Sequence, residues 1–89
     1  MTEHEICYAA LEKWGPQKQT LKLFEEMAEL QDALCKQMDG RDSTSHVAEE
    51  IADVLVVMEQ MMILHNCEHE VVEIRKQKLE RLQRRVEKK

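Results

Sequence analysis

The chain is poor in the residues that shape small proteins by covalent links or tight turns. In 89 residues it has two glycines (Gly15, Gly40), one proline (Pro16), and one each of Trp, Tyr and Phe. So few breakers leave room for few sharp turns. The apolar stock of Leu, Val, Ile, Met and Ala suits helix packing better than sheets. The three cysteines, Cys7, Cys35 and Cys67, are odd in number and form no CxxC pair. That argues against a zinc knuckle or a disulfide framework and predicts reduced, partly buried thiols. A glycine-rich phosphate loop is absent, so phosphate would have to be held by side chains and metal rather than by a P-loop. His4, His46, His65 and His69 make no HExxH motif, and no Ser/His/Asp or Cys/His nucleophile arrangement can be drawn. The longest apolar stretch, 54–64, is interrupted by Glu59 and Gln60 and falls far short of the roughly 20 residues of a membrane span. The first residues are acidic and polar, unlike a signal peptide. The expectation is a cytoplasmic protein with no membrane role.

Charge is abundant but divided. The net charge is −5, yet residues 75–89 hold eight of the thirteen Lys and Arg and only two of the eighteen acids, Glu80 and Glu87. The first 74 residues therefore carry five bases and sixteen acids, a balance of −11. An acidic body lacks the broad basic face of a general nucleic-acid binder. It suits cations in the body and phosphate at the tail.

The periodicity predicts four helices in a single domain, 1–89. The first covers 3–14 and ends at Gly15-Pro16. The second covers 19–38, with Leu21, Phe24, Ala28, Cys35 and Met38 at helical spacing. Residues 39–45 form the clearest loop, with Gly40 as a C′ residue and Thr44 or Ser45 as N-cap. The third helix covers 46–64, and its second half is apolar almost all round, which predicts burial on several sides. The fourth covers 69–86, with Val72, Leu79, Leu82 and Val86 as its stripe. The fold expected is an all-α antiparallel bundle of about four helices, completed by oligomerisation, because so short a chain supplies few neighbours for the third helix.

Two acidic clusters carry the chemistry: Glu25-Glu26-Met27-Ala28-Glu29, and Glu49-Glu50-Ile51-Ala52-Asp53. Residues three apart share a helix face, so Glu26 pairs with Glu29 and Glu50 with Asp53. The clusters lie about equally far from the loop, so closing the hairpin brings them to one height. Carboxylates so placed repel unless a cation lies between them. Hard oxygen ligands of this kind suit Mg²⁺ or Mn²⁺. Asp53, leading directly into Val54, is expected at the rim of the core. A solvated acidic face is the plainer reading of either cluster alone.

The pattern Glu25-Glu26-x-x-Glu29-Leu30, then Glu50-x-x-Asp53-Val54-Leu55, resembles the EExxE…ExxD signature of the MazG-like, all-α nucleoside triphosphate pyrophosphohydrolases. Trp14-Gly15 with Gln19, and the ending Lys78-Leu79-x-Arg81-Leu82, resemble small single-domain members, so the likeness covers roughly 11–86. The resemblance implies Mg²⁺ ligands at Glu26, Glu29, Glu50 and Asp53. It implies a Glu25 that orients or activates the attacking water, and phosphate contacts at Lys78 and Arg81. It also makes Gln19, Lys22 and Trp14 candidates for the nucleotide pocket. Gln77 departs from the Asn or Asp that often precedes the Lys. The implied activity is Mg²⁺-dependent cleavage of an NTP or dNTP to monophosphate and pyrophosphate, by a homodimer or homotetramer. The competing reading is a non-catalytic helical module that binds a partner or a nucleotide.

Overall fold

The computed structural model describes residues 1–88; Lys89 lies outside the described residues. It contains four helices and, among the described residues, no strand: α1 (Glu3–Trp14), α2 (Pro16–Met38), α3 (Thr44–Leu64) and α4 (Glu68–Glu87). None is long and apolar enough to cross a membrane.

Local chemistry accounts for each boundary. Thr2 caps α1 through a capping box, its side chain accepting from the Glu5 N–H while the Glu5 carboxylate accepts from the Thr2 N–H. Gly15 ends α1 and begins α2 with no loop between them. Its φ of 88° and ψ of 158° lie in a region open essentially to glycine alone. Pro16 follows at the first helical position, where its missing N–H costs nothing. The second helix thus starts three residues earlier than its apolar spacing indicates. The α2 terminus is a Schellman motif: Arg41 N–H donates to the Lys36 carbonyl and Gly40 N–H to that of Gln37, with Gly40 at φ 73°. The α3 terminus repeats it, with Asn66 at φ 50° and Cys67 N–H donating to the Met62 carbonyl. Ser43, rather than Thr44 or Ser45, caps α3 by accepting from the His46 N–H.

Helices α2 and α3 form the principal pair, and α1 packs on both. The core is Leu23, Val57 and Met61, with Leu11, Val54 and Leu64 against it. A buried hydrogen bond of 2.7 Å from Gln19 Nε2 to Gln60 Oε1 ties α2 to α3 beside that core. The inward face of α2 is therefore Gln19, Leu23, Glu26 and Ala33. The apolar set Leu21, Phe24, Cys35 and Met38 points outward instead. Both stripes have helical spacing, so periodicity alone does not choose between them.

The fourth helix packs on α3, meets α1 only where His4 Nε2 lies 3.6 Å from Glu68 Oε1, and buries none of its described residues. Its projection makes the molecule elongated, 48 × 36 × 23 Å, with a radius of gyration of 15.9 Å. A compact chain of this length would have about 12 Å. On α3, Leu55 and Val56 are more than half exposed and border a groove of about 390 Å³, lined also by Met62 of the same helix and by Ile6 and Cys7 of α1.

A methyl group at Gly15 would meet nothing within 4 Å. The expected loss on Gly15→Ala is therefore backbone strain alone, about 1–3 kcal/mol, read from urea unfolding. An unchanged midpoint would mean that the α1–α2 corner relaxes freely.

Candidate metal centre

The α2–α3 pairing brings three of the sequence-predicted ligands together. One carboxylate oxygen from each of Glu26, Glu29 and Glu50 lies within 4.8 Å of the others. Glu26 sits on the buried face of α2, 6% exposed, one turn beyond Leu23. The Glu50 side chain is 12% exposed. Glu29 stands at the open edge. Its carboxyl is pushed above its ordinary range, first by the Glu26 charge and then by burial, with Glu50 adding to the effect.

The buried acids are only half compensated. Lys22 Nζ lies 3.1 Å from Glu26 Oε1 and 3.9 Å from Glu25 Oε2. His46 Nε2 lies 3.1 Å from Glu50 Oε1, and its Nδ1 meets Asp42 Oδ2. Both ring nitrogens thus face carboxylate oxygens that only accept. Asp42 first, and Glu50 after it, raise the His46 pKa above the usual imidazole range. The remaining oxygens, Glu26 Oε2 and Glu50 Oε2, are buried with no hydrogen-bond partner. Buried anionic oxygens without partners are costly, and a hard cation could supply what they lack. The donor set, all carboxylate, fits Mg²⁺ or Mn²⁺ better than a soft-ligand metal.

Other predicted residues lie elsewhere. Asp53 is exposed rather than at the rim of the core, and it falls outside the group of three. Glu25 is exposed beside Lys22. Gln19 is buried and committed to Gln60. Trp14 is half exposed at the end of α1, with Lys13 Nζ 5.4 Å from its ring centroid. Lys78 and Arg81 are exposed on α4, which does not touch α2. His46 and Asp42 were not singled out in the sequence. Their spacing with Glu50 (42, 46, 50) was the available signal, since residues four apart stack on one helix face.

Mg²⁺ at a hundredfold excess over its Kd is expected to stabilise the wild-type fold by about 2.7 kcal/mol. Glu29→Gln is expected to raise the melting temperature in EDTA and remove the Mg²⁺ increment, both read by thermal unfolding. A Mg²⁺ increment that survives the substitution would place the ion elsewhere.

Comparison of the chain with known protein families, with characterised proteins and with solved structures finds no match.

Proposed function

We propose that the protein is a Mg²⁺-dependent nucleoside triphosphate pyrophosphohydrolase, cleaving an NTP or dNTP between the α- and β-phosphates. The observation that carries this reading is the pair of buried, unpartnered oxygens on Glu26 and Glu50 beside Glu29. The EExxE…ExxD spacing then gives the class of reaction.

Glu26, Glu29 and Glu50 would hold the ion from both helices, with Asp53, one turn further along α3, reaching in from the exposed side. A bound Mg²⁺ supplies charge neutralisation on the triphosphate and polarises water. Glu25, exposed and adjacent to Glu26, would take a proton from the attacking water. The water oxygen bonds to the α-phosphorus, the bond to the α–β bridging oxygen breaks, and pyrophosphate leaves with that oxygen. Lys22, already beside Glu25 and Glu26, can turn to phosphate when the carboxylates engage a cation.

The decisive assay is pyrophosphate release from a panel of NTPs and dNTPs, with Mg²⁺ and with EDTA, for wild type and Glu29→Ala. Metal-dependent release that is lost in the variant is the expected outcome. No release from any substrate would favour the non-catalytic binding module.

Oligomerisation belongs to the same reading. Val72, Leu79, Leu82 and Val86 are each about half exposed or more along a helix that has no buried residue among those described. Helix α4 is basic while the body is acidic, so a second copy complements it in both apolarity and charge. Lys78 and Arg81 then act on the partner copy's side of the assembly. Sedimentation equilibrium is expected to give a dimer or tetramer for the wild type and a monomer for Leu79→Glu/Leu82→Glu, with unchanged helicity. A wild-type monomer would remove this part of the proposal.

A further inference from the structure

The acidic cluster has a support on one side that the reaction itself does not use. Asp42, His46 and Glu50 stand four residues apart, at the start of α3 and just before it. His46 Nε2 is 3.1 Å from Glu50 Oε1, and Nδ1 is bonded to Asp42 Oδ2. Asp42 is itself anchored, because its Oδ1 accepts from the Ser43 N–H at 2.8 Å. The backbone of His46 is held too, its N–H donating to Ser43 Oγ at 3.1 Å. The imidazole is therefore pinned at both nitrogens and at its own backbone.

This has a consequence for Glu50. One carboxylate oxygen is fixed by a rigid donor, and the other, Oε2, is left buried and unpartnered. Fixing one oxygen and the ring that holds it fixes the plane of the carboxylate, and with it the direction of Oε2. On the opposite helix Lys22 engages Glu26 Oε1 in the same way. Lys22 is a half-exposed ammonium on a flexible stem, and it pairs with Glu25 and Glu26. It can leave without disturbing the backbone; His46 is built into the helix start.

We infer that His46, backed by Asp42, is a positioning residue that presents Glu50 Oε2 to a divalent cation bound among Glu26, Glu29 and Glu50. The inference rests on the metal-binding reading above. Hydrogen bonds to ligating groups orient them and tune affinity, and their loss typically costs 10–100-fold in metal binding.

The two nitrogens allow a test that separates positioning from a merely structural role. In place of His46, the Gln amide nitrogen approximates Nε2 and keeps the bond to Glu50. The Asn amide nitrogen approximates Nδ1 and keeps only the bond to Asp42. Mn²⁺ binding is followed by the loss of the free-ion electron paramagnetic resonance signal. The proteins compared are wild type, His46→Gln, His46→Asn and Glu26→Gln, each first checked for native helicity and thermal unfolding. We expect His46→Gln to bind within a few-fold of wild type and His46→Asn to bind about 10–100-fold more weakly. Glu26→Gln is expected not to bind. The reverse order, with Asn native-like and Gln weak, would assign His46 to holding the 42–46 turn and overturn the inference. Equal affinity of both His46 variants and wild type, with loss only in Glu26→Gln, would overturn it while leaving the metal site standing. Absence of Mn²⁺ binding by the wild type would remove the metal reading and this inference together.

Discussion

Helices α2 and α3 pack face to face and in doing so take two carboxylates, Glu26 and Glu50, out of water. Much of what distinguishes this protein follows from that burial. A desolvated carboxylate needs hydrogen bonds or an opposite charge, and each of these has half of what it needs. Lys22 serves one oxygen of Glu26, and His46 serves one oxygen of Glu50. The other oxygen of each is unserved. Glu29, beside them at the open edge, adds a third negative charge and titrates high because of it. A helix pair that evolved only for stability would place Leu or Ala at such positions, as it does at Leu23 and Ala33 on the same face of α2.

The rest of the molecule reads as scaffolding for that pair. The capping motifs at both ends of the α2–α3 hairpin set where the helices stop, and so at what height Glu26, Glu29 and Glu50 meet. The Gly15 corner swings α1 back onto α3 without a loop, adding Leu11 to the core. The Gln19–Gln60 bond has a different character. A buried polar pair resists sliding of one helix past the other, because a shift of register breaks a bond that water cannot replace. The core is small, and a large share of the Leu, Val, Ile and Met side chains stays exposed. That exposure is spread over all four helices, with six large apolar side chains exposed on α4, five on α2 and four on α3.

Much of the architecture was legible in the residues. Helix content, a loop after Met38, the Gly40 turn and a break after Leu64 all follow from period and turn chemistry, although α3 begins at Thr44, inside the loop expected over 39–45. So did the meeting of two acidic clusters, because their distances from the loop are nearly equal. The inward face of α2 was not legible. Leu21, Phe24 and Met38 make as good an apolar stripe as Leu23 and Ala33, and only the position of α3 decides which one is buried. The same ambiguity misplaced Asp53: an acid before Val54 reads as a core-rim residue, yet α3 turns it outward and takes Glu50, one turn earlier, largely out of water instead.

By itself, then, the sequence determined that the chain is helical, where the helices end, and that carboxylates from two of them converge. These follow from local propensity, caps and spacing, which need no knowledge of neighbours. Only the tertiary structure decided which carboxylates lose their water, that Gln19 is occupied by Gln60, that His46 clamps Glu50, and that α4 stands away from the acidic cluster. Those depend on how helices rotate and tilt against one another, and packing across the chain sets that rotation where periodicity allows several.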